Sequence, residues 1–460
     1  MEELRIESDS MGKMEVPSWA YWGAQTQRAL DNFAVSGLRI PQLMISALGL
    51  VKQYASEANH ELGLLDTQRA QAIIQAAEEV VEGKWNKHFP IDVFQTGSGT
   101  SSNMNANEVI ANRANELLGS HLGSKEPVHP NDHVNLGQSS NDVFPTAIHI
   151  AVRMQLDPLV GTLRTFRETL LRKSKEFAEL VKIGRTHLQD AVPMTLGQEF
   201  SGYASQMEHS RQRIENTFDH LEELALGGTA IGTGLNSHRE FAARVIHKIR
   251  QHTGITFKEA PNRFEALANR DALVELMGAL NAVAVSLMKI ANDLRLLSSG
   301  PHTGLGEITL PALQPGSSIM PGKVNPVILE MMIQVAAQIM GNHLAVTIGG
   351  QNAPLEVNMM MPMMAHNVLF SIEILRNGVS LLDKKCVAGI QANHARCEEL
   401  VERSLALVTP LALKIGYERA ASVAEKACRE KKTLRQVVLE EQILTEKETD
   451  EILNPRYMIG

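Results

Sequence analysis

The chain has 460 residues, 44% apolar and 4% aromatic, with a formal net charge of −8. Its length exceeds one ordinary core and predicts two or three domains, and its apolar content excludes a disordered protein. Acidic and basic residues are interspersed, which leaves no electrostatic footprint for nucleic acid, and the Leu, Ala, Met and Val usage favours helices over sheets. The opening Met1-Glu2-Glu3-Leu4-Arg5-Ile6-Glu7 lacks the apolar region of a secretory signal, and no uninterrupted apolar run reaches the length of a membrane span. Cys386, Cys397 and Cys428 form no CxxC pair, so structural thiols in a reducing compartment are expected, in a soluble cytoplasmic protein.

Residues 1–136 form the first predicted domain, mixed and helical. Glu15-Val16-Pro17 reads as extended, and Tyr21 to Arg28 as a turn. Apolar residues at helical spacing predict helices over Gln42–Gly63 and Asp66–Lys84. The stretch Gln95 to Asn105 is mostly Gly, Ser, Thr and Asn, which cannot form a core but presents many donors. It leads into a predicted helix, Ala106–Leu118, ended by Gly119. Helix capping and ligand binding both explain that polarity. His129-Pro130-Asn131-Asp132-His133 places two histidines near an aspartate, without regular metal-ligand spacing on one element. Ser139-Ser140-Asn141-Asp142 reads as a helix N-terminus, with Pro145 tolerated in the first turns.

Residues 137–392 form the second predicted domain, a bundle of long helices. Leu273, Leu280, Leu287 and Leu294 recur every seven residues, and Leu276, Val283, Ile290 and Leu297 follow three residues behind. This heptad predicts a helix over Ala272–Ser298, about 40 Å long. Similar stretches at Asp157–Val181, Gly197–Leu226, Pro326–Ile348 and Pro362–Leu382 complete five helices, whose residual apolar faces predict a symmetric homo-oligomer. Met359, Met360, Met361, Met363 and Met364 read as adaptable core packing rather than a soft metal site. An irregular piece, Gly184 to Asp190, separates two of these helices and carries His187 beside Thr186 and Arg185. Residues 393–460 form a small helical C-terminal domain, with helix expected around Cys397–Lys432.

Gln314–Pro326 interrupts the bundle with two glycines and three prolines. Between them lie Ser317, Ser318, Lys323 and Asn325, all suited to holding an oxyanion, and Asn325-Pro326 reads as an N-cap with proline in the first turn. A surface turn fits the same residues. No phosphate loop, dinucleotide fingerprint, two-histidine zinc helix or nucleophile elbow occurs. What remains is acid–base chemistry on a small polycarboxylate, where donors must be fixed where charge grows.

Gly316-Ser317-Ser318-Ile319-Met320-Pro321-Gly322-Lys323-Val324-Asn325-Pro326 resembles the signature of the fumarase/aspartase superfamily. Thr96 to Thr100, His129 to Asp132, Ser139 to Asp142 and Gly184 to Asp190 resemble its other blocks, in order. Trp22-Gly23-Ala24-Gln25-Thr26-Gln27-Arg28 is similar to class II fumarases in particular. The resemblance implies a mainly α, three-domain fold and a homotetramer with a twenty-helix core, five helices per subunit, each active site shared between three subunits. It implies reversible hydration of fumarate to (S)-malate in the tricarboxylic acid cycle, through an aci-carboxylate, with no metal and no cofactor.

By the same resemblance Ser317 is the base at C3, and His187, oriented by Glu330, handles the proton of water. Ser98, Gly99, Thr100, Ser139, Ser140, Asn141, Thr186, Ser318, Lys323, Val324 and Asn325 are implied to bind the substrate, a small dicarboxylate. His129, Pro130, Asn131 and Asp132 match a second dicarboxylate site; here Lys125-Glu126-Pro127 precede it where basic residues are common. Leu136 stands where lysine is common, and the apolar Val327-Ile328-Leu329 is closer to aspartases, whereas Gly322 and Ser140 match fumarases. The alternatives are an aspartate ammonia-lyase and a non-catalytic helical scaffold on the same fold.

Overall fold

The computed structural model describes residues 3–459. Five long helices dominate it: Ser140–Glu176, Leu196–Glu215, Asp271–Leu297, Val327–Gln351 and Met361–Lys385. All eight heptad residues of Asp271–Leu297 are buried, each worth about 2 kcal/mol in apolar transfer. Ser140–Glu176 is longer than the periodicity predicts. It starts at the polar Ser140 and runs through Pro145 and Pro158 without a break. By mean hydropathy, Asp271–Leu297 and Val327–Gln351 are long and apolar enough to cross a bilayer, contrary to the count of uninterrupted runs. A bundle helix that buries several faces has the same composition as a membrane span.

Contacts divide the chain into two compact units. One comprises Met1–Val160, Gln212–Ala284 and Ala337–Arg376; the other Gly161–Arg211, Val285–Ala336 and Asn377–Gly460. In the first, a hairpin pairs Leu4–Asp9 with Gly12–Pro17, and residues read as a turn form the helix Ala24–Asn32. That helix start is held by buried Glu108, which accepts from the Gly23, Gln25 and Thr26 N–H groups and the Thr26 hydroxyl. Helices Gln42–Glu61 and Thr67–Val81 match the predicted ones, the latter capped by Asp66, which accepts from Arg69 N at 3.0 Å. The next helix, Thr100–Leu117, starts six residues before the predicted Ala106. Its extra turns are polar because they are buried on hydrogen bonds: Asn105 Nδ2 donates to His88 O, and Ser102 to Gln95 Oε1.

In the second unit, the piece between Ser140–Glu176 and Leu196–Glu215 is a β-hairpin, Val181–Thr186 with Gln189–Thr195, rather than an irregular link. Alternation is masked there by glycine and by charged residues that face inward, such as Lys182. The C-terminal segment forms five short helices from His394–Arg403 to Glu446–Ile452, around Leu411, Leu434, Val437 and Val438. The three cysteines are free; Cys386 and Cys397 are buried, which pushes both thiols up to about 12.

Candidate active site

The Gln314–Pro326 loop is closed on itself. Gly316 N donates to Lys323 O at 2.7 Å, and Asn325 Nδ2 returns to Gly316 O at 2.8 Å. A Cβ on Gly316 would lie 2.8 Å from both Lys323 O and Asn325 N, so glycine is required by this approach. Gly322 turns the chain back with φ +85°, in the left-handed region. The clamp brings Ser317 under the backbone: its Oγ accepts from Ile319 N at 3.2 Å and Met320 N at 3.0 Å. Two convergent N–H groups are what an alkoxide needs for stabilisation. The Asn325 side chain is committed to the loop through its Nδ2 donor, and the helix begins at Val327, two residues later. Ser318, Lys323 and Val324 are exposed, and Glu330 lies in the first turn of the helix.

His187 stands at the tip of its hairpin. Thr186 pairs with Gln189, so His187 and Leu188 form a two-residue turn, both with positive φ, +56° and +63°. Such turns favour Asn-Gly, so a His-Leu turn is strained, and strain of this kind collects at functional positions. The hairpin is anchored by Glu307, fully buried, which meets Arg185 Nη1 at 2.9 Å and Lys182 Nζ at 3.3 Å. Lys182 also pairs with Glu199 at 2.7 Å, and Asp190 accepts from the Ser404 hydroxyl at 3.0 Å. Among the described residues, the side chains of His187 and Glu330 make no hydrogen bond to one another; Thr186 and His187 are exposed.

The first unit brings together the other donor-rich segments. Gly99, φ +74°, opens the Thr100–Leu117 helix, and a Cβ there would strike the Phe144 ring at 2.2 Å. Phe144 lies in the first turns of Ser140–Glu176, so two helix N-termini abut, and both carry partial positive charge. Ser98 Oγ and Thr100 Oγ1 share a hydrogen bond of 3.0 Å. Ser139 Oγ accepts from Asn141 N at 3.2 Å, and Asn103 Nδ2 donates to Ser140 Oγ at 2.9 Å. Asp142, fully buried, accepts from the Ser139, Gly227 and Thr229 N–H groups. Burial pushes its carboxyl up to about 6, against these hydrogen bonds and the nearby Lys52 charge.

Sequence reasoning missed that glycine-rich segment, Gly227 to Gly234, whose Ala230 O accepts from Asn141 Nδ2 at 2.8 Å. Four glycines among eight residues were the available signal. It also passed over Lys52, a lone lysine on an apolar helix, and Glu307, for which the sequence offers no local signal.

At His129–Asp132, His129 Nδ1 accepts from Asn131 N and Asp132 N at 3.2 Å, which places its ring proton on Nε2. A cation reaches this turn from another helix: Arg69 Nε donates to Pro127 O at 2.7 Å. Pro130 is buried, whereas Asn131 and Asp132 are exposed. Among the described residues no three His, Cys, Asp or Glu side chains converge as a metal site.

The class of this mainly helical protein, a lyase, is given by its family match. Residues 12–341 match the family model described as lyase, and residues 407–460 the one described as fumarase C C-terminus. The mitochondrial fumarate hydratase of Rattus norvegicus is 54% identical over 99% of this chain and 90% of its own length. The class II fumarate hydratase of Nitrosomonas europaea is 52% identical over 100% and 99%. The crystal structure of recombinant class II fumarase from Schistosoma mansoni superposes with a TM-score of 0.95 at 42% identity, covering 98% of both chains. The chain belongs to the class II fumarate hydratase family.

Proposed function

We propose that this chain catalyses the reversible hydration of fumarate to (S)-malate, the step that reaction occupies in the tricarboxylic acid cycle. The observation that carries the mechanism is the Ser317 oxygen held between the Ile319 and Met320 N–H groups. In the dehydration direction Ser317, as alkoxide, takes the C3 proton of malate. Charge passes into the adjacent carboxylate as an aci-carboxylate dianion, and the C2 hydroxyl leaves with a proton from His187. Glu330 orients His187 in this scheme. Ser98, Gly99, Thr100, Ser139, Ser140 and Asn141, with Thr186, Ser318, Lys323, Val324 and Asn325, bind the substrate carboxylates. Two helix N-termini and the Lys323 ammonium supply the positive potential a dianion requires.

The same reading includes a homotetramer whose active sites are shared between subunits, and a division of the chain near residues 136 and 392. Its support is the apolar surface on the long helices, where Val285 is 52%, Leu344 62% and Ile348 47% exposed in the single chain. Exposed His187 would then meet donors from a neighbouring subunit. The free thiols favour a reducing compartment such as the cytoplasm. His129, Pro130, Asn131 and Asp132 form the second dicarboxylate site in this reading, beside Arg69, which itself pairs with Asp66 at 2.7 Å.

The test is loss of fumarate absorbance on adding pure protein without ammonia. Turnover that requires ammonia and yields aspartate would move the assignment to an aspartate ammonia-lyase. Inactivity toward fumarate, malate, aspartate and argininosuccinate alike would leave a scaffold.

A further inference from the structure

Lys52 lies on the Gln42–Glu61 helix and is 0% exposed. Its Nζ donates to Asn135 Oδ1 at 3.0 Å and Gln138 Oε1 at 2.9 Å. An ammonium has donors only, so both carboxamides turn their oxygens toward it. Asn135 Oδ1 also accepts from Asn103 Nδ2 at 3.2 Å and Asn107 Nδ2 at 3.1 Å. The Asn103 nitrogen donates a second time, to Ser140 Oγ at 2.9 Å. This orientation leaves Asn103 Oδ1 and Asn107 Oδ1 buried without hydrogen-bond partners. Buried amides rarely accept that cost, so some group must fix the order of donors and acceptors.

Ser140 has a single hydroxyl proton. With a lone pair already taken by the Asn103 N–H, it is left as a donor directed away from the network. Asp142 does not compete for the ammonium, since the backbone N–H groups of Ser139, Gly227 and Thr229 occupy its oxygens. Burial lowers the Lys52 pKa to about 7, and either protonation state keeps the two N–H donors that the chain of bonds needs.

We propose that Lys52 is a positioning residue that sets the donor order of the Asn135–Asn103–Ser140 chain, so that Ser140 offers its O–H to a substrate carboxylate. The inference rests on the reading of Ser140 as a carboxylate ligand given above. It is tested in the full-length protein with Lys52→Met and Asn103→Ala, each alone and combined with Ser140→Ala, by measuring KM and kcat for fumarate. Each single variant is expected to raise KM about 10-fold, the size of one lost hydrogen bond to a charged group, with kcat within about threefold. Added to Ser140→Ala, either should change KM by less than about twofold, because the same chain is already cut.

A KM within about twofold of the parent in the single variants, or effects that multiply with Ser140→Ala, would overturn the proposal and leave Lys52 a structural residue. If Lys52→Met does not fold, the Asn103→Ala cycle decides the matter, since it cuts the chain and leaves the cation in place. A parent enzyme inert toward fumarate, or a Ser140→Ala variant with unchanged KM, would instead sink the reading of the site itself.

Discussion

Ser317 Oγ lies 3.0 Å from the backbone nitrogen of Met320, three residues further along the same loop, and accepts its hydrogen bond. A serine hydroxyl is a weak base until its alkoxide is stabilised, and the loop builds that stabilisation from its own backbone. In the proposed mechanism the Lys323 ammonium, on the loop's other arm, adds positive charge. If Ser317 and His187 hold the proposed roles, Ser317→Ala and His187→Asn should each lower kcat by about 10²–10⁴-fold, the range for a positioned acid or base. Initial rates with fumarate and with malate check this, and near-parental kcat in either variant removes that residue from its role.

The clamp makes a prediction of its own. A methyl at Gly316 would push against Lys323 O and Asn325 N, each 2.8 Å away, and must open the loop. Displacing Ser317 by about 1 Å costs up to about 10²-fold in kcat. Gly316→Ala should therefore lose about 10–100-fold in kcat while its thermal midpoint stays close to the parent's, because the loop is largely exposed. A large drop in the midpoint with normal kcat would show the glycine serves folding alone.

Glu307 ties the His187 hairpin to the rest of its unit. Its buried carboxylate faces Arg185 and Lys182, and losing it leaves Arg185 without this partner in a poorly solvated place. Glu307→Gln should cost about 3–5 kcal/mol in urea unfolding at fixed protein concentration and lower kcat through the displaced hairpin tip. A loss below about 0.5 kcal/mol would mean that water replaces the carboxylate.

His149 is 8% exposed, and burial lowers its pKa from 6.5 to about 4. The folded protein thus binds a proton less readily than the unfolded chain. Stability from this group is complete above pH 6.5 and is lost as pH falls from 6.5 toward 4, by roughly 3 kcal/mol. Asp142 acts in the opposite sense, since its raised pKa makes the folded state gain stability as pH falls through about 6. The difference in unfolding free energy between the parent and His149→Gln isolates the histidine. It should shrink between pH 7 and 5, and a pH-independent difference would contradict the buried neutral ring.

Sequence by itself determined the elements whose information is local. The heptad of Leu273 to Leu297 repeats at the helical period, so it specified its helix, and all eight residues are buried as that spacing requires. The Gln314–Pro326 loop was equally legible as irregular structure, because its glycines and prolines write turns into contiguous residues. Family membership rested on the same contiguous blocks. Tertiary structure decided the rest. The Val181–Thr195 hairpin carries no Asn-Gly turn, and its inward-facing Lys182 and Arg185 pair with Glu307, over a hundred residues away. Ser140 is linked to Lys52 through Asn103 and Asn135, and Asp142 meets a glycine-rich loop some 85 residues later. These are long-range electrostatic and hydrogen-bond choices made in a low-dielectric interior, where a charge must find its partner wherever the chain brings one.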